Sequence, residues 1–257
     1  MRSELISNSA EYVLTKVPEV TLLFWIIKIA ATTLGETGGD ALSMSTGFGY
    51  LTSTEIFAAI FALAVVAQIK AKQFHPMLYW TTIIATTTVG TTLADFVDRS
   101  LGIGYPGGVT ILITLLAASF ALWHRILGSI SVQSISSPKA EVFYWVTIMF
   151  SQTLGTALGD WSADTAGLGY TGSALVYSGF LVLLIALHFR TKISKTTLFW
   201  MAFILTRPLG AVVGDYLDKP LAAGGLALSR YSASAVLMGF ILVCLFMFQH
   251  RAAQKAH

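Results

Sequence analysis

Cysteine and charge are what this chain has least of. The single cysteine, Cys244, lies in a late apolar run, so one chain can form neither a disulfide nor a cysteine-ligated metal centre. Charged residues make up 11% of the 257, against roughly 25% in a soluble domain. The five histidines all fall outside the repeated motif described below. A histidine-rich metal site, a Gly-x-Ser-x-Gly nucleophile turn and a paired intramembrane aspartyl protease motif are all missing, and the loops are too short to hold a soluble active site. No enzyme is expected, and no resident cofactor. The polar stretch before Val17 has no apolar core, so it does not read as a signal peptide.

Apolar residues are abundant. They reach 55% of the chain, with mean hydropathy +0.72. A membrane span needs about 20 apolar residues, and the pattern predicts eight, at roughly 19–41, 50–69, 77–97, 108–128, 142–163, 172–189, 196–217 and 230–249. The expected fold is therefore an all-α polytopic membrane protein, a single integral domain over 1–257. Orientation follows the lysines and arginines of short loops. Eleven of the sixteen lie in the tails and in every second loop, against three in the loops between, Arg99, Lys219 and Arg230. Both termini are thus expected on the cytoplasmic side. Nothing points to a nucleic acid.

One pattern recurs four times. Trp25, Trp80, Trp145 and Trp200 each precede a glycine by ten residues (Gly35, Gly90, Gly155, Gly210) and an aspartate by fifteen (Asp40, Asp95, Asp160, Asp215). Seven residues beyond each aspartate begins GFGY, GIGY, GLGY or, in the fourth copy, AAGG. The copies lie 55 residues apart within each half and 120 between halves, which suggests two duplications. The repeats are approximately 17–70, 75–127, 138–190 and 194–250. Each holds two spans, so all four point the same way. Parallel repeats related by an axis along the membrane normal follow, as a pseudo-fourfold ring or a dimer of halves; further oligomerisation is compatible with either.

The first span of each repeat carries a small residue four positions after its glycine: Gly39, Ala94, Gly159 and Gly214. That spacing lets helix backbones approach closely, so the first helices should line the interior and the second should face lipid. The tryptophans are expected as anchors near the inner interface, and the Gly-rich tetrapeptides as tight outward turns.

The aspartates sit about 22 Å along their helices from the tryptophans, near the outer edge of the membrane. Carboxylates in apolar surroundings are expensive. Four of them converging on an axis would bind protons or draw in a cation. Glu36, one turn below Asp40, adds a fifth. Possible ligands are all oxygens: Glu36, Asp40, Asp95, Asp160 and Asp215, with the hydroxyls of Thr33, Thr88 and Thr153. Hard cations such as Mn²⁺, Mg²⁺ or Ca²⁺ suit such a set. The alternative is that each aspartate merely accepts hydrogen bonds in its own turn. Asp98, Asp164 and Asp218 are expected to form an outer vestibule.

Two basic residues break the repeat inside the membrane. Lys28 aligns with Ile83, Ile148 and Phe203, and Arg207 with Thr32, Thr87 and Gln152. Either could pair with an interior carboxylate when the transported ion is absent, coupling ion release to a conformational change; Lys28 could instead snorkel to the inner surface. Glu55 and Arg230 occupy one equivalent place in the first and fourth repeats, and an ion pair between them is expected to close the ring.

The units Trp…Thr-Leu-Gly-x-x-x-Gly-Asp…Gly-x-Gly-Tyr at 25–50 and 145–170, with looser copies at 80–105 and 200–225, resemble a bacterial family of membrane-anchored proteins built from tandem two-helix repeats of unknown function. The resemblance covers essentially the whole chain and implies a polytopic inner-membrane protein without assigning any catalytic residue. The stretch Glu36-Thr37-Gly38-Gly39-Asp40 is similar, with one residue too many, to the Glu-x-Gly-Asp motif of cation exporters. The fourth repeat departs from the pattern at Pro208 and Gly225. The expected function is a secondary transporter of a cation, most plausibly exporting a divalent, manganese-like metal against protons. A passive channel with an acidic outer ring and a non-transporting scaffold or sensor are the alternatives.

Overall fold

The computed structural model describes residues 15–132, 135 and 137–253. The readings made above on residues 1–14, on Arg2 and on Lys255 lie outside them. Eight long helices are present among the described residues: α1 Leu22–Asp40, α2 Gly49–Lys70, α3 Pro76–Asp95, α4 Gly104–Leu127, α5 Pro138–Asp160, α6 Gly169–Arg190, α7 Lys195–Asp218 and α8 Arg230–Met247. Their starts follow from local chemistry. The Thr21 hydroxyl accepts from the Phe24 amide at 3.3 Å and the Ser137 hydroxyl from the Ala140 amide at 3.3 Å, satisfying donors that a helix N-terminus leaves free. Pro76 and Pro138 open α3 and α5, where a missing N–H is harmless.

The first helix of each of the first three repeats ends at its aspartate and runs into one wide π turn, Ala41–Ser45, Phe96–Ser100 or Trp161–Thr165. Both glycines of the following tetrapeptide then adopt positive φ; Gly47 and Gly49, for example, have φ of 79° and 74°. Glycine takes this conformation without strain, so the tight-turn reading of the tetrapeptides holds. In the fourth repeat α7 continues past Asp215 to Asp218, and a short 3-10 turn, Leu221–Ala223, makes the connection.

The helices form two shells. α1 packs on α3, α3 on α5, α5 on α7, and α7 back on α1. This closed ring of first helices is the pseudo-fourfold arrangement. The second helices lie outside it, each against the first helix of the following repeat: α2 on α3, α4 on α5, α6 on α7 and α8 on α1. Their outer faces present apolar side chains, with Leu175 74% and Phe246 76% exposed. Five helices, α2, α4, α6, α7 and α8, are long and apolar enough to cross a membrane.

Two kinds of packing hold the ring. Along its middle, each repeat glycine touches the residue three before the glycine of the next repeat. A Cβ on Gly35 would lie 2.2 Å from the Thr87 hydroxyl oxygen, one on Gly90 2.9 Å from the Gln152 backbone, one on Gly155 2.2 Å from Arg207 Cγ, and one on Gly210 2.2 Å from the Thr32 hydroxyl oxygen. A second tier follows one turn on, with Gly39 against Thr91, Gly159 against Ala211 and Gly214 against Glu36. The small-residue interface is thus used in all four repeats.

At the other end the helices are held by large rings. Phe24, Tyr79, Trp80, Trp123, Tyr144, Trp145, Phe199, Trp200 and Phe203 form one buried aromatic cluster. This corrects the reading of the repeat tryptophans as interfacial anchors. Trp80, Trp145 and Trp200 are buried and Trp25 is half-buried. They point between converging helices, and the Trp200 indole donates to the Ile130 carbonyl in the connection between halves. The terminal segments also meet here, where the Ala253 amide donates to the Val17 carbonyl at 2.9 Å.

The close packing predicts that Gly35→Ala destabilises the protein by about 1–3 kcal/mol, the usual cost of forcing atoms into a filled interface. Gly179→Ala on α6, where an added Cβ meets nothing within 4 Å, should be neutral or stabilising by up to ~1 kcal/mol, since glycine weakens a helix interior. Thermal unfolding of the two purified variants in one detergent checks the contrast.

Candidate functional site

The repeat register stacks one residue per first helix at successive levels, about 6 Å apart for every four residues of helix. Starting from the aromatic end, the levels are Phe24, Tyr79, Tyr144 and Phe199; Lys28, Ile83, Ile148 and Phe203; Thr32, Thr87, Gln152 and Arg207; Glu36, Thr91, Thr156 and Ala211; and the four aspartates. Every one of these residues is buried. The lowest level is sealed by aromatic packing and by a 2.7 Å hydrogen bond between the Tyr79 and Tyr144 hydroxyls.

Arg207 shows that the levels converge. Its Nη2 donates to Glu36 Oε2 at 3.0 Å, to the Thr91 hydroxyl at 2.6 Å and to the Thr156 hydroxyl. One guanidinium on α7 therefore reaches the other three first helices. Pro208, beside it, supplies no backbone N–H. The expected pairing of Arg207 with an interior carboxylate is present.

The acids also converge. Carboxylate oxygens of Glu36, Asp160 and Asp215 lie within 4.8 Å of one another, and so do those of Asp40, Asp215 and Asp218. Oxygens on opposite sides of a hard cation at about 2.4 Å would be about 4.8 Å apart, so the first cluster has the size of a coordination shell. Of the five acids expected as ligands, three form this cluster, and Asp40 belongs to the adjoining one. Asp95 joins neither. It is held by Arg99 Nε at 2.9 Å.

Tethered cations occupy the acid end in two matching arrangements. Lys219 Nζ lies 2.6 Å from Asp40 and 2.9 Å from Asp215. Arg99 lies 2.9 Å from Asp95 and 3.2 Å from Asp160. Each base stands four residues after its own repeat's aspartate and reaches the aspartate of the next repeat in the ring. The two are 120 residues apart, so the acid end is twofold rather than fourfold. Neither base was among the sequence-predicted site residues. The signal was present in their shared offset, but both had been read as loop residues. Burial lowers the Lys219 ammonium, but Asp215 and Asp40 outweigh it and hold the pKa well above that of an ordinary lysine. Lys219 therefore stays charged.

Several expectations change. Lys28 neither snorkels nor meets a carboxylate. It is fully buried, and its Nζ lies 4.2 Å from the centroid of the Phe203 ring with no hydrogen-bond partner among the described residues. The Glu55–Arg230 pair does not form. α2 packs on α3 and α8 on α1, so the two residues ride in different grooves. Glu55 is exposed, while Arg230 binds Asp218 at 2.6 Å and lies 3.8 Å from Asp40. The hydroxyls of Thr33, Thr88 and Thr153 donate to carbonyls of their own helices; Thr91 and Thr156 face the site instead. The outer acids are not one vestibule. Asp164 is exposed and accepts from the Tyr105 hydroxyl at 3.3 Å. Asp98 is buried against Gly108 with neither oxygen hydrogen-bonded.

Two predictions follow from this geometry. Glu36→Gln removes the counter-charge of a fully buried guanidinium and should cost about 3–5 kcal/mol; adding Arg207→Met should recover much of it, as a double-mutant cycle by thermal unfolding will read. Asp98, in a turn beyond the spans, is pushed up to about 6 by burial, with Arg99 pulling the other way. A raised carboxyl contributes stability that is complete at low pH and lost as pH rises through 6. Asp98→Asn should therefore stabilise the protein by about 1–2 kcal/mol at pH 8, after allowance for partial solvation, and flatten the loss between pH 4 and 7.

No curated protein and no solved structure matches the chain, and the likeness to Glu-x-Gly-Asp exporters gains no support. A repeat family does match, described as Repeat of Unknown Function (DUF347), in four copies at residues 23–74, 78–128, 143–194 and 198–254. The four matched copies contain the four glycines that close the ring and the four aspartates at its acid end, so the chain belongs to the DUF347 repeat family.

Proposed function

We propose that the protein is a secondary transporter that exports a divalent, manganese-like cation in exchange for protons. In this reading all eight helices cross a bacterial inner membrane as four parallel repeats, with both termini cytoplasmic and the acid end outside. The observation that carries the reading is the buried triad Glu36, Asp160 and Asp215, drawn from three repeats, with oxygens within 4.8 Å of one another. Buried Asp40 Oδ1, with no hydrogen-bond partner, lies at its edge.

The resting charges are balanced by bases that a cation would displace. Arg207 holds Glu36 from below, and Lys219 holds Asp215 from the side. A dication entering the triad would release both, and their return would expel it. Protons on the same carboxylates would serve the opposite stroke, because clustered acids left without a cation favour their protonated forms. The layers of Ile83, Ile148 and Phe203 and of Phe24, Tyr79, Tyr144 and Phe199 close the axis toward the other end. A closed end favours a carrier, which alternates access, over a passive channel.

Purified protein in liposomes, with a metal-sensitive dye and a pH dye inside, tests this. Mn²⁺ entry accompanied by proton exit is expected, slowed at least tenfold by Asp160→Asn or Asp215→Asn and unchanged by Glu55→Gln. Metal entry with no proton movement would favour the channel. No flux of any divalent cation, from protein whose folding is verified, would leave the scaffold reading.

A further inference from the structure

Below the acids lie polar side-chain atoms that the acid cluster leaves without a partner. Lys28 Nζ, both ends of the Gln152 amide, and Nε and Nη1 of Arg207 are buried with no hydrogen-bond partner among the described residues. All three residues have no exposed surface. Gln152 and Arg207 share one level on adjacent helices. Arg207 also packs its Cβ and Cγ onto the Gly155 backbone, three residues after Gln152. Lys28 is one turn lower on α1, over Phe203, which is itself one turn below Arg207 on α7.

Donors far exceed acceptors here. Lys28 offers at least two N–H groups, Gln152 two, and the free positions of Arg207 more, whereas the Gln152 carbonyl is the one side-chain oxygen of the three without a partner. Leaving buried donors unmet costs about 1–3 kcal/mol each, and more for charged groups. The charge balance points the same way. Glu36 is the counter-charge of Arg207, and Lys28 has no carboxylate partner among the described residues.

We propose that Lys28, Gln152 and Arg207 form a second site on the axis, one that holds a single small monovalent anion of the chloride class. Such an ion accepts from all three side chains at once and supplies the counter-charge that Lys28 lacks. Phe203, Ile83 and Ile148 form its apolar floor. The site shares Arg207 with the cation reading but rests on the unmet Nε and Nη1 of that side chain, with Lys28 and Gln152, and not on the acids.

The test compares thermal unfolding of the full chain in sodium chloride, nitrate, gluconate and sulfate at one ionic strength. Chloride and nitrate should raise the midpoint saturably over gluconate and sulfate, by ~3–6 °C at concentrations about tenfold above the dissociation constant. Lys28→Met and Gln152→Leu, which keep side-chain volume, should each abolish the difference. Crystals of protein prepared in bromide throughout should show an anomalous peak between the three side chains. Equal midpoints of the native protein in all four salts, or an anion effect that survives both substitutions, would overturn the proposal. If Lys28→Met fails to fold, Gln152→Leu and the bromide position decide it. Failure of the anion test leaves metal flux untouched, and absence of flux leaves the anion shift readable.

Discussion

Backbone contact at glycine is the constraint on which the rest of the structure depends. Four helices can share one axis at this separation only if each presents a surface without a side chain to the next. The cycle Gly35 on Thr87, Gly90 on Gln152, Gly155 on Arg207 and Gly210 on Thr32 meets that condition at one level of every helix. Without a hydrophobic drive between helices in lipid, such packing is what brings them together. The convergence of Glu36 with Asp160 and Asp215 and the reach of Arg207 across the axis are consequences of it. So is the isolation of Lys28 from lipid.

Electrostatics then breaks the symmetry that packing creates. Four identical aspartates on a fourfold ring would repel. Arg99 and Lys219 pair them two by two, and each base joins neighbouring repeats. Further in, the levels lose even twofold likeness: Glu36 faces Thr91, Thr156 and Ala211, and Arg207 stands where Thr32, Thr87 and Gln152 stand elsewhere. The glycine contacts and the aspartate level repeat one residue, whereas the levels between the aspartates and the aromatic end differ from repeat to repeat.

The sequence made the scaffold legible because helix packing leaves periodic marks. The repeat offsets gave the helix pairs, and the Gly-x-x-x-small spacing gave the interior face. The Gly-x-Gly-Tyr tetrapeptides gave the turns. The acids were visible as charges out of place. Their partners were harder to see, because an ion pair such as Lys219 with Asp40 joins residues far apart in the chain and depends on which repeat follows which around the ring. The tryptophans misled for a related reason. An aromatic near a span's end looks the same in sequence whether it meets lipid headgroups or other aromatics, and only the convergence of four helix ends decided between them. The staggered outer shell was likewise invisible: in sequence α2 and α8 occupy one repeat position, but they pack on different first helices, which separates Glu55 from Arg230.

That stagger has a consequence for biogenesis. Each outer helix is seated by a repeat synthesised after it, except α8, whose seat is the first helix made. The ring therefore stays open until α7 arrives, and its outer shell until α8 does. Glu36 waits for Arg207, and Asp40 for Lys219, through most of translation. Until then these buried charges have no counter-charge from their own repeat, so the arrival of α7 and the connection after it is the step that completes the axis.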